Sequence, residues 1–590
     1  MIRVFLWART HPDEAVLWAI VGVLGGYAAW VGGTTAAATA GLYSPLPFSD
    51  QWVTVTELKI LDEGESSLWS ELWRQHNEHR LVLPRLILYA DFWLFGGTNV
   101  FPITMIWLAQ VAHIAALGAA GWMVVARNDP SGRWRAGLLA AQVAVFFSAA
   151  QLENFSWGFQ IQIVAVFLAA SLAFLAMAGG CRYRRRNAML GAALFVAALA
   201  AATASVLSSA NGALVWPILV LIAVWHRAPR PWVGVLAACG TTQIALYLWG
   251  YDRPHDHTSP FEALGDPLAV ADYFAAYMGN EAGTLGIVWA RVFGMGALLA
   301  YALVGAALVL LRWRSVSAVT LFAVMSFVVG SAFITSLGRI NFGSEQALAG
   351  RYTTGPLLFW VAAGPLLLQA WTEAGRQKLP RWSLAGAVAL LLAVPATAFD
   401  AQRDVPPALE VRQRTWSRVE DAFIAGVYDE ELIVPMFAPT QPDADAAKAL
   451  IEWLRANHYS VFSGRQSRWI GEEFLSQFEV VGVNTCLGSF DEARAVPGSD
   501  GARVIGWSWD PPEFQTFSQV VVVDADGQIV GIAHGGTLER PDVPEAVPAI
   551  KSNKVGWDGY AGRGVSPLRA YGVLGPGRVC QLANEQRLPE

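Results

Sequence analysis

Charge is what this chain has least of. Lys, Arg, Asp and Glu make up 15% of its 590 residues, and 54% are hydrophobic, whereas soluble domains carry roughly 25% charge. That excludes an ordinary soluble protein. There is no basic excess either: 41 basic against 47 acidic residues give a net charge of −6, which excludes a generally basic nucleic-acid binder. No Walker A, dinucleotide fingerprint or nucleophile elbow stands in a convincing setting, which argues against ATP or a nucleotide sugar as a direct substrate. The apolar runs themselves hold few ionisable groups, His113 being the main exception. Coupled transporters place polar sites near the bilayer midplane, so this weakens a transporter reading.

What is present is a series of long apolar runs followed by a tail of ordinary texture. A helix needs roughly 20 apolar residues to cross the hydrocarbon. Spans are expected near 15–40, 103–126, 136–151, 157–179, 188–207, 212–226, 232–250, 286–311, 316–337, 353–371 and 383–400, about eleven in all. Arginines cluster in alternate connections (Arg127, Arg133, Arg135; Arg182 to Arg186; Arg227, Arg230; Arg312, Arg314; Arg376, Lys378, Arg381), which the positive-inside rule makes cytoplasmic. The N-terminus is then inside and residues 401–590 outside. This lays out residues 1–400 as a membrane domain with a long first outer loop at 41–102, residues 401–477 as a helical connector, and 478–590 as an extracytoplasmic, mainly-β domain expected to be sandwich-like. Only two of the four cysteines, Cys486 and Cys580, lie in the tail. An extracytoplasmic tail allows them to pair as a disulfide, with two buried thiols as the alternative.

The chemically varied residues concentrate on the outer side. The first outer loop reads PLPFSDQW, then WRQHNEHR, then an apolar stretch at 81–97 interrupted by Pro84, Arg85 and Asp91 that suits a helix lying on the membrane surface. In QHNEHR, helical spacing would put His76 and His79, or His76 and Arg80, on one face; with Glu78 the group reads as substrate and phosphate contacts, a metal site, or a solvated salt-bridged helix. Further outer segments carry Glu153, Asn154, Gln160 and Gln162 in LENFSWGFQIQ, Asn211 in SSANG, Arg253, His255 and His257 in YDRPHDH, and Arg339, Arg351 and Tyr352 in GRINFGSEQALAGRY. Amides and acids there cost too much against lipid, so they face a cavity or staple helices together.

In the tail, 401–425 has helical periodicity, and VVVVDADGQIVGI reads as a hairpin around Asp524 to Gly527 rather than a calcium loop. Trp507, Trp509, Trp557 and Tyr560 serve either as sugar-stacking platforms or as core.

A first span followed by a long outer loop bearing Asp50 in SDQW, surface helices in that loop, many further spans and a soluble outer domain together resemble the C-type glycosyltransferase (GT-C) superfamily over about residues 1–400. The resemblance implies a polytopic enzyme that moves a sugar from a polyprenyl-phosphate donor to an extracytoplasmic glycan, lipid or protein acceptor, without nucleic acid. It implies Asp50 as the catalytic base or a metal-site residue. Its neighbours Ser49 and Gln51 depart from the paired acids of the family and leave a divalent metal open. For the departing lipid phosphate, Arg80, Arg339 and Arg351 have the right charge and geometry. The alternatives are a transporter or flippase for a lipid-linked saccharide and a non-catalytic envelope protein that binds glycan.

Overall fold

The computed structural model describes residues 12–126, 129, 132–254, 257–376, 382–438, 442–481 and 486–588. The chain forms two compact units, one of residues 1–41, 68–87 and 102–406, the other of residues 42–67, 88–101 and 407–590.

The first unit is helical. Among the described residues, nine helices are long and apolar enough to cross a membrane: Glu14–Gly41, Val100–Val125, Arg133–Ser156, Gly158–Tyr183, Ala188–Val206, Arg230–Leu248, Ile287–Leu310, Val316–Phe342 and Gly350–Ala374. This is a multi-pass membrane protein. At 1.5 Å per residue, the 24-residue helix Ile287–Leu310 is about 36 Å long, enough for the ~30 Å hydrocarbon layer. The other two expected spans fall on the shorter apolar helix Ala210–Trp225 and on Trp382–Arg403, which carries Pro395 inside it. Helices Gly158–Tyr183 and Gly350–Ala374 are the most enclosed, with 72% of their apolar windows buried, and Phe167, Phe174, Phe327 and Phe359 fill the space between such helices. Two glycines bring one pair of segments unusually close. A methyl on Gly279 would stand 1.9 Å from the Ala290 carbonyl, and one on Gly294 would stand 1.9 Å from that of Ala275. Only hydrogen fits at either place, and this seats the helix Pro267–Met278, with Tyr273 and Tyr277, against Ile287–Leu310.

One expected helix is a hairpin instead. QHNEHR forms strands β1 (Gln75–His76) and β2 (His79–Arg80), with His76 opposite His79. Asn77 takes φ +48°, a left-handed conformation that asparagine tolerates in turns. His76 and His79 are therefore cross-strand partners, and Glu78 occupies the turn.

The second unit contains a closed barrel. Its strands are β3 (Glu479–Val480), β4 (Leu487–Ala495), β5 (Ala502–Trp509), β6 (Gln519–Val523), β7 (Ile529–Leu538), β8 (Gly556–Ala561), β9 (Leu568–Gly575) and β10 (Arg578–Gln586). The order β10-β4-β5-β8-β7-β6-β9 returns to β10, so seven strands close on themselves and β3 shares one edge of β10. The expected sandwich is thus corrected to a barrel. The cause lies in β10, which pairs antiparallel with β9 through an irregular register and parallel with β4; closure leaves the ring without an unpaired edge. Cys486 and Cys580 form a disulfide. The hairpin β6–β7 is as expected, with Asp524 Oδ1 accepting from the Asp526 and Gln528 amides. Trp557 and Tyr560 are fully buried and Trp509 nearly so, so these aromatics are core. The 401–425 segment is helical at Val405–Ala425.

Candidate functional site

In the first unit, residues singled out from separate connecting segments gather around Glu78. Arg339, the last residue of helix Val316–Arg339, donates from Nη2 to Glu78 Oε1 at 2.9 Å. A cation there also suits the negative end of the helix dipole. His79 Nε2 lies 3.5 Å from the same oxygen, and His257 Nδ1 lies 3.6 Å from Oε2. Burial would raise the pKa of Glu78, but His79, Arg339 and His257 together pull it well below the ordinary carboxylate range, so Glu78 stays ionised. His79 goes the other way: burial lowers its pKa against the pull of Glu78. Its Nδ1 accepts from the Ala210 amide at 3.2 Å, which puts the proton of the neutral ring on Nε2, facing Glu78.

A second pair adjoins the first. Arg351 and Tyr352 lie in the turn Gly350–Tyr352 at the start of an enclosed span. The guanidinium of Arg351 stands 5.2 Å from the Tyr352 ring centre, and that of Arg339 stands 5.9 Å from the same centre. Arg351 Nη1 is 3.7 Å from Glu153 Oε1, and its amide donates to Glu153 Oε2 at 3.0 Å. Gln346 Nε2 donates to the Tyr352 hydroxyl at 3.2 Å, and Tyr277 packs on the ring at 5.3 Å. Two cations thus stand by one aromatic ring, each balanced by one carboxylate and each partly open to solvent (19% for Arg339, 37% for Arg351).

Other expected site residues serve the framework. Arg80 is 4% exposed. Its Nε, Nη1 and Nη2 donate to the carbonyls of Tyr247, Trp73 and Trp249 at 2.9, 2.7 and 2.6 Å, so its guanidinium is committed to the main chain and holds the hairpin in place. The expectation of a phosphate contact there gives way to this one. Asn154, fully buried, donates to the Arg351 carbonyl at 3.1 Å and the Thr354 hydroxyl at 2.8 Å; it fixes the turn that presents Arg351. His76 packs its ring against Phe159 at 5.3 Å. Gln160 is buried in the turn Gly158–Gln160, and Asn211 donates to the Ser331 hydroxyl at 3.0 Å. Arg253 is exposed and 3.7 Å from Glu262. His255 lies outside the described residues. His257, its neighbour by alternation, is the histidine of YDRPHDH that reaches the cluster.

Asp50 belongs to the other unit. It precedes helix Gln51–Asp62 as its N-cap residue and is half-buried. The rest of SDQW fixes it: the Ser49 amide donates to the Met436 carbonyl at 2.8 Å, Gln51 Nε2 donates to Asn99 Oδ1 at 2.5 Å, and Trp52 stacks on Phe437 at 4.0 Å.

No family model, curated protein or solved structure matches the chain. Among the described residues no three His, Cys, Asp or Glu side chains gather as a metal site would require.

Two residues of the first unit escaped sequence reasoning. Tyr277 was hidden because an aromatic in an apolar run reads as core, and its approach to Tyr352 depends on the Gly279–Gly294 contact. Glu281 is fully buried, with the Trp360 indole donating to its Oε1 at 2.5 Å. Burial pushes its pKa up to about 8. Its signal was there to find: an acid inside the apolar stretch AAYMGNEAGTLGIVW.

Proposed function

We propose that this protein is a membrane glycosyltransferase of the GT-C type, which moves a sugar from a polyprenyl-phosphate carrier to an extracytoplasmic glycan, lipid or protein. The observation that carries the reading is the pair of guanidinium groups, Arg339 and Arg351, on the single ring of Tyr352 at the ends of membrane helices. An amphiphile with a phosphate at the boundary between chain and headgroup fits such a place. In the proposed reaction the acceptor oxygen attacks the anomeric carbon and its bond to the carrier phosphate breaks. The polyprenyl phosphate leaves with the electron pair, and the configuration inverts. Arg339 and Arg351 stabilise the charge that grows on the departing phosphate. Glu78 is held too strongly ionised to be an effective base, and it orients Arg339 instead. For the acceptor proton, the resemblance alone nominates Asp50 of the second unit. The reading takes the arginine-rich connections as cytoplasmic, which has the N-terminus inside the plasma membrane and the tail outside.

The test is product analysis with purified protein and a labelled polyprenyl-phosphate sugar. The proposal expects label in an acceptor, lost with Arg351→Gln and with Asp50→Asn while both variants remain folded. Label that crosses a proteoliposome without bond formation would make the protein a flippase. An Asp50→Asn variant as active as the natural chain would remove Asp50 from the mechanism.

A further inference from the structure

Away from the cluster, a second feature of the first unit has the shape and charge of a lipid site. Helices Val215–Trp225, Ile287–Leu310 and Val316–Arg339 enclose a groove of about 360 Å³. Its walls are apolar, Leu221, Val309 and Phe322 among them, and one end carries Trp225, Arg227 and Arg314. Leu221, Val224 and Val309 are 57–66% exposed, so in a membrane this groove faces acyl chains.

The polar end is built rather than incidental. Arg227 has φ +51° at the point where helix Val215–Trp225 stops, a position that usually favours glycine. The following amide, that of Ala228, donates back to the Ala223 carbonyl at 2.8 Å. Arg184 Nη2 donates to the Arg227 carbonyl at 2.8 Å, which ties down the backbone of that residue. Arg314 lies over the Trp225 ring at 5.8 Å, and the Trp225 indole donates to the Trp313 carbonyl at 2.9 Å. Tyr301 stacks on Phe322 at 5.2 Å and stiffens the wall. Among the described residues neither Arg227 nor Arg314 has a carboxylate within 4.0 Å, in contrast to Arg339 and Arg351.

We infer that this groove binds an anionic phospholipid of the bilayer, with one acyl chain between the three helices and its phosphate and acidic headgroup on Arg227 and Arg314. An apolar slot ending in two uncompensated guanidinium groups selects for an amphiphile whose negative charge adjoins its chain, and basic pockets between membrane helices recognise anionic headgroups in this way. The inference does not depend on the glycosyltransferase reading.

The test is native mass spectrometry of the full chain, delipidated in detergent and titrated with phosphatidylglycerol or with phosphatidylcholine of identical chains. The expected result is at least tenfold tighter binding of phosphatidylglycerol, reduced to within twofold of phosphatidylcholine in Arg227→Gln/Arg314→Gln. Val309→Trp, at a lipid-exposed position, fills the groove while leaving both arginines, and is expected to lose the bound phosphatidylglycerol too. Equal binding of the two lipids by the natural chain would overturn the inference. So would a double glutamine variant that keeps the preference, or a Val309→Trp variant that retains the lipid.

Discussion

Arg339 donates to Glu78 at 2.9 Å although 261 positions separate them in the chain. The contact joins the β1–β2 hairpin to the end of a helix far down the sequence, and its carboxylate also meets two histidines. Because the folded pKa of Glu78 is depressed, the stability it contributes is present above its ordinary value of 4.5 and is lost as pH falls below that. Both side chains are about one-fifth exposed, which limits the pair to about 1 kcal/mol. A double-mutant cycle of Glu78→Gln and Arg339→Gln, read by thermal melting at pH 7, is expected to give a coupling of that size, and the gap between Glu78→Gln and the natural chain should narrow at pH 3. On transfer activity the two differ. Arg339→Gln is expected to lose about 10²-fold in rate, the scale of one lost transition-state donor.

Arg80 makes a contrasting prediction. Three main-chain carbonyls depend on its guanidinium, and a hydrogen bond to a charged group is worth about 1.5–3 kcal/mol. Arg80→Lys cannot reach all three. It is expected to lower the melting temperature by the equivalent of about 3 kcal/mol while the activity per folded molecule stays near that of the natural chain. A variant with unchanged melting and a raised KM for the donor would return Arg80 to the phosphate site.

The disulfide between Cys486 and Cys580 closes a loop of 94 positions in sequence and joins the segment before β4 to β10. The loop-entropy relation gives about 4.7 kcal/mol for a loop of this size, as an upper estimate. Cys486→Ser/Cys580→Ser is expected to lower the melting transition of the second unit, and adding a reductant to the natural chain should reproduce the shift. A tail that melts identically with and without reductant would show that barrel closure by β10 suffices.

What could be read from the sequence follows a physical division. Spans were legible because a bilayer imposes one length and one polarity, and the β6–β7 hairpin because DADG can do little except turn. Pairing of residues distant in sequence was not. Arg339 and Arg80 are both arginines beside apolar segments, and only the packed structure shows one on a carboxylate and the other on carbonyls. QHNEHR suited a helical face until Asn77 turned it back on itself. Barrel closure was hidden because it depends on β10 pairing with β9 on one side and β4 on the other, and local alternation is the same in a sandwich. Asp421 and His534 were not singled out either, since a single acid in a helix of mixed charge and a single histidine in a strand carry no periodic signal.

That last pair sits inside the second unit and makes a pH prediction. His534 Nδ1 is 2.9 Å from Asp421 Oδ1, and its amide donates to Oδ2 at 3.1 Å. Asp421 is fully buried and the His534 side chain 23% exposed. Burial alone would lower the pKa of His534, but Asp421 overrides it and pushes the imidazole up to about 9. A raised folded pKa means that the stabilisation is fully present below the unfolded value of 6.5 and is lost as pH rises through about 9. His534→Gln leaves a buried carboxylate without its counter-charge, which costs about 3 kcal/mol. In melts of the full chain the margin of the natural protein over His534→Gln should therefore be largest near pH 6 and shrink steadily as pH rises from 6.5 to about 9. A margin that persists at pH 10 would mean that hydrogen bonding, and not charge, joins helix Val405–Ala425 to β7.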